Sequence, residues 1–114
     1  MDLTKTRGDL IFEAALRLNI VGTGQPLEDE YASKIGDKID PLLAQLAQNG
    51  ICNVVNTQYI PSEWFDALAG LLANLSASIA GAGYDPQIKA FYEMELKRLT
   101  SSRPSYAVMD TDYF

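Results

Sequence analysis

The sequence predicts an all-α protein: a small four-helix bundle with a short β-rich insert and an extended C-terminal tail. Three observations carry that expectation. Apolar residues recur at helical spacing in four stretches, with glycine or proline between successive stretches. Residues 51–60 (ICNVVNTQYI) break the helical period and are rich in β-branched side chains. Residues 104–114 (PSYAVMDTDYF) have no period at all. The expected organisation is a helical domain over residues 1–103, interrupted by the insert at 51–60, followed by a tail at 104–114.

The first helix is expected from about Thr4 to Leu18, with Leu10, Ile11, Ala14 and Leu18 on one face. Gly22 and Gly24 then permit a tight turn. A second helix follows Pro26 and an acidic first turn (Glu28, Asp29, Glu30), and reaches about Gln48. Its Tyr31, Ile35, Ile39, Leu42, Leu43 and Leu46 share an arc about 120° wide, with Pro41 opposite, so a bend is expected there. The insert suggests one or two short extended pieces, with a small hairpin through Asn56-Thr57 that must pair or pack elsewhere.

Pro61-Ser62-Glu63 opens a third helix, running to about Ala80, whose stripe is Trp64, Leu68, Leu71, Leu72, Leu75 and Ile79. Its reverse side carries Ala67, Gly70, Ala73, Ala77 and Ser78, small enough for another helix to approach closely. Asp85-Pro86 begins the fourth, to about Ser101, with Ile88, Phe91, Tyr92, Leu96 and Leu99 expected inward.

Composition narrows the chemistry. The 114 residues suit one domain. They include no histidine and one cysteine, so one chain builds no His-based triad, no histidine metal site and no internal disulfide. Gly22-Thr23-Gly24 lacks the further glycine and the Lys-Ser/Thr pair of a phosphate loop, and reads as a turn. Asp110-x-Asp112 has no glycine or glutamate to complete a calcium loop. Cys52 sits among strand formers with no activating base, as a packed thiol would. No nucleophile, base and oxyanion hole converge, so neither enzymatic activity nor a cofactor is expected. A net charge of −6 also argues against a reader of duplex DNA. The polar N-terminus and the interrupted apolar stretch at 64–82 lead to the expectation of a soluble chain made without export.

Glu95 breaks the pattern of the fourth helix. It projects between Ile88, Phe91 and Leu99, so burial beside a cation is expected, with Arg17 as the partner in a structural ion pair. Charge is also uneven. Residues 1–85 hold five bases against eleven acids, whereas 86–103 hold four against two. Lys89, Lys97 and Arg98 thus make the last helix positive, which favours head-to-tail self-association or simply suits a helix C-terminal half.

The order of these features resembles the head-to-tail adaptor (head-completion or connector) proteins of tailed bacteriophages. The resemblance covers about residues 8–100. It rests on Glu13-Ala14-Ala15-Leu16-Arg17-Leu18, then Ile20-Val21-Gly22 and Gly24, and on Leu42-Leu43-Ala44-Gln45-Leu46-Ala47 closing the second helix. The Ile60-Pro61 entry, Phe65-Asp66-Ala67-Leu68-Ala69-Gly70-Leu71-Leu72-Ala73, and Tyr92-Glu93-Met94-Glu95-Leu96-Lys97-Arg98-Leu99 continue it. The resemblance implies a small helical subunit of a homo-oligomeric ring, commonly a dodecamer, beneath the portal protein. Such a ring joins head to tail, meets tail or nozzle proteins, and extends a channel through which DNA passes non-specifically. It implies a virion location at the head–tail junction, with assembly in the host bacterial cytoplasm and no membrane.

On that reading the tail docks onto the portal or a neighbouring subunit through Tyr106, Val108, Met109, Tyr113 and Phe114. The insert, through Ile51, Val54, Val55 and Tyr59, supplies a second subunit interface. The alternative is a small acidic helical binding or regulatory module, for example a DNA mimic, that assembles no ring.

Overall fold

A computed structural model describes residues 4–22, 24–54 and 58–101. The elements in chain order are β1 (Thr4–Lys5), α1 (Arg7–Arg17), α2 (Asp29–Gly36), α3 (Ile39–Gln48), β2 (Ile60–Pro61), α4 (Ser62–Leu75), a 3₁₀ turn (Ala77–Ala80) and α5 (Pro86–Ser101). The protein is all-α in its described residues apart from a two-residue ladder. Val55, Asn56-Thr57, Tyr106, Val108, Met109, Tyr113 and Phe114, given interface or turn roles above, lie outside the described residues.

Helix α1 starts with a capping box. The Thr6 hydroxyl accepts from the Asp9 backbone N–H at 3.2 Å, and the Asp9 carboxylate accepts from the Thr6 N–H at 3.0 Å. Asn19 ends the helix in a left-handed conformation (φ 61°), so the turn begins before the glycines that the sequence suggested.

The expected second helix is two helices. α2 ends at Gly36 and α3 begins at Ile39, where Pro41 occupies the first turn and its missing N–H costs nothing. Continuing one helix through this point would have set the proline ring against the Asp37 carbonyl. Arg7 fastens the break from outside: its guanidinium donates to the Gly36 carbonyl at 2.9 Å and to Asp40 at 3.1 Å. The apolar arc survives the break, since Ile35, Ile39, Leu42, Leu43 and Leu46 are all buried.

The only strand in the described part of the insert is its last residue, Ile60, with Pro61. It pairs antiparallel with β1, Thr4 opposite Pro61 and Lys5 opposite Ile60. Ile51, expected at a subunit interface, is packed into the core, and Cys52 is buried beside it as the packed thiol the sequence suggests. The Ile51 carbonyl accepts from the Thr100 hydroxyl at 3.1 Å, which ties the insert to the end of α5.

Helix α4 is the centre of the molecule. Every residue from Ala67 to Asn74 is buried, and α1, α3, α5 and both strands pack around it. A helix apolar all round belongs in the interior, and its small residues let neighbours come close. Gly70 lies directly under the Tyr92 ring, where a Cβ would stand 2.3 Å from the nearest ring carbon.

That contact sets the rotation of α5. Leu96 is fully buried, and Tyr92 and Leu99 are half-buried against the core. Ile88 and Phe91, expected inward, instead face outward. The helix carries two apolar stripes, and the small residues of α4 receive the one that contains Tyr92. Glu95 turns outward with the other stripe, so the expected burial and the Arg17–Glu95 pair are both absent. Glu95 accepts two hydrogen bonds from Arg98, each at 3.1 Å, while Arg17 pairs with Glu13 at 3.2 Å and with Asp66.

Candidate docking surface on helix α5

The outward stripe of α5 is built from Ile88, Phe91 and Met94, spaced three residues apart and therefore on one side of the helix. Met94 is 71% exposed, Phe91 61% and Ile88 41%. Phe91 stands edge-on to Tyr92 with ring centroids 5.1 Å apart, so the inner stripe supports the outer one. Tyr84, in the loop before the helix, is also exposed. The Glu95–Arg98 pair closes the C-terminal end of the apolar stripe.

A groove of about 260 Å³ adjoins this stripe, lined among others by Arg17, Leu18, Gly70, Ala73, Ile88 and Tyr92. Ile88 belongs to both, so stripe and groove form one surface. Burial opposes the charge on Arg17, but Asp66 and Glu13 outweigh it and hold the guanidinium above its ordinary pKa. That charge is already matched within the fold. The surface is suited to apolar side chains, and it brings no nucleophile, base and anion-binding donor together. Among the described residues no group of three or more His, Cys, Asp or Glu is arranged to hold a metal ion.

The other residues singled out from the sequence are dispersed. Lys89 pairs with Glu93 at 2.7 Å on the inner side of α5, and Arg98 is engaged with Glu95, which leaves Lys97 as an exposed base on that helix. Tyr59 is 66% exposed, Val54 is half-buried, and Ile51 belongs to the core and offers no subunit interface. Sequence reasoning missed Met94 altogether. The three-residue spacing of 88, 91 and 94 was the signal that could have found it.

Two predictions arise from these positions. Burial pushes the Cys52 thiol pKa up, so iodoacetamide should modify the native chain at least about tenfold more slowly than the urea-unfolded chain. Equal rates would place Cys52 outside the core. The two hydrogen bonds from Arg98, with its charge, hold the Glu95 carboxyl below the ordinary glutamate pKa. A depressed carboxyl adds stability above its unfolded pKa and loses that contribution as pH falls through the lower native value. An NMR titration of Glu95 should therefore move upward in Arg98→Ala.

Compared with known proteins, the chain matches no family model, and no curated sequence and no solved structure is significantly similar to it. No helix of the described residues is long and apolar enough to cross a membrane.

Proposed function

We propose that the chain is a structural virion protein that forms an oligomeric ring at the portal, joins phage head to tail and extends the DNA channel. The observation that supports this reading best is the α5 surface. An 8-to-100 domain of the resembling order exposes Ile88, Phe91 and Met94 in one stripe beside an apolar groove. A ring subunit needs two unlike surfaces that meet in a closing, head-to-tail contact, and a projecting stripe with a concave neighbour supplies unlike shapes. The net charge of −6 also supports it, since an acidic wall lets DNA pass without adhering. On this reading the partners are the portal protein, tail or nozzle proteins and further copies of the chain. The place of action is the head–tail junction of the virion, with assembly in the bacterial cytoplasm.

The test is co-incubation with portal-containing heads followed by imaging. Added ring density beneath the portal is the expected result, and the double variant Phe91→Asp, Met94→Asp should lose it while keeping its helical circular dichroism. Heads that remain bare with the native chain would overturn the proposal and turn attention to the small acidic binding module.

A further inference from the structure

We propose that two copies of the chain pair about a two-fold axis beside Ile88, each seating its Phe91 ring in the groove of the other. The surface carries a projection and a hollow side by side. Phe91 is 61% exposed and stands edge-on to Tyr92, and Tyr92 lines the groove with Leu18, Ala73, Ala82 and Gly83. Ile88 belongs to both stripe and groove, whereas Phe91 does not line the hollow next to it. The ring that fills that hollow therefore comes from another molecule. A two-fold axis satisfies both molecules at once, which is the reciprocal pattern of an isologous contact.

Size agrees. A cavity of roughly 150 Å³ takes up benzene, so a groove of about 260 Å³ admits a phenyl ring. An aromatic anchor seated in a pocket is also the commonest centre of a protein interface. Large side chains bury about 150–250 Å² each when fully covered. At exposures of 41% to 71%, Ile88, Phe91, Met94 and Tyr84 supply on the order of 400 Å² per copy, to which the groove walls and Gln87 add. That is below the roughly 800 Å² per partner of a standard interface, so the pairing is reversible, with a dissociation constant of about 10–100 µM.

Charge agrees as well. Helix α5 is the only described helix with more bases than acids: Lys89, Lys97 and Arg98 against Glu93 and Glu95. A chain of net charge −6 meets its own copy with least repulsion through this helix. Glu95 and Arg98 neutralise each other at the end of the stripe, so the rim carries no charge that would select an oppositely charged partner instead.

Sedimentation equilibrium of the isolated full chain tests the pairing. A monomer–dimer equilibrium that stops at two copies, and tightens as added salt screens the acidic chains, is expected. Phe91→Ser removes the knob. Gly83→Leu blocks the hole, and a Cβ at Gly83 meets no atom within 4 Å, so the fold accommodates it. Each variant alone should pair at least about tenfold more weakly than the native chain. Mixed together they should form a heterodimer, because the Phe91 of one still finds the open groove of the other. A chain monomeric to about 1 mM would overturn the proposal and leave this face to a different protein. Growth beyond two copies would overturn it in favour of head-to-tail association. Pairing that ignores Gly83→Leu, or a mixture no tighter than either variant alone, would overturn the seating of Phe91 in the groove. The dimer needs only the isolated chain, so its failure is distinct from failure to decorate heads.

Discussion

Replacing Gly70 by valine should lower stability by about 2–3 kcal/mol and loosen α5 from the bundle. The Gly70 Cα faces the Tyr92 ring so closely that an added Cβ would stand 2.3, 2.4 and 2.8 Å from three of its carbons. The ring cannot remain there. Tyr92 fixes the rotation of α5, so its displacement also disturbs Leu96, which is fully buried in the native chain. Alanine at this position should be milder, because a glycine-to-alanine change inside a helix returns about 1 kcal/mol of helix propensity. Urea unfolding of the two variants measures the difference. Adding Tyr92→Ala to the valine variant should recover part of the loss, since the clash is then gone. Full stability in Gly70→Val would mean that Tyr92 does not set the position of α5.

Removing the Asn74 side chain is expected to cost about 2 kcal/mol, the value of two hydrogen bonds left without partners. Its carboxamide donates to the Asp85 carbonyl and accepts from the Asp85 N–H, both at 2.9 Å. Asp85 in turn accepts from the Gln87 N–H through its own side chain, which starts α5. Asn74→Ala should therefore speed hydrogen exchange first around residues 84–88, ahead of any change in α1. Uniform exchange across the chain would show that Asn74 acts on the whole core instead of on this loop.

Much of the fold was legible because period and punctuation agreed. The arc from Ile35 to Leu46, the stripe of α4 and the close-packing role of Gly70 all followed from spacing and residue size. What failed was rotation and continuity. Two apolar stripes on α5 satisfy helical spacing equally well, and only the groove over Gly70, a property of another helix, selects Tyr92 and Leu96. Glu95 was misplaced by the same ambiguity, and Arg17 with it. The break at Asp37–Lys38 escaped because a solvent-facing proline was read as a bend, while Arg7, distant in sequence, supplies the contacts that hold the two helices at their junction. The exposed stripe was therefore hidden: Ile88 and Phe91 were assigned to the core, and Met94 was given no place.

Helix α4 has a consequence for how the chain can diverge. From Ala67 to Asn74 no side chain reaches the outside. A substitution there changes whether the molecule folds, and apart from Gly70, Ala73 and Asn74 at the floor of the groove it has no face with which to change what the molecule meets. In a saturation library scored separately for abundance and for binding, Ala67, Leu68, Ala69, Leu71 and Leu72 should register in the first score alone. Specificity can then be rewritten on α5 and the outer turns while the central rod stays constant.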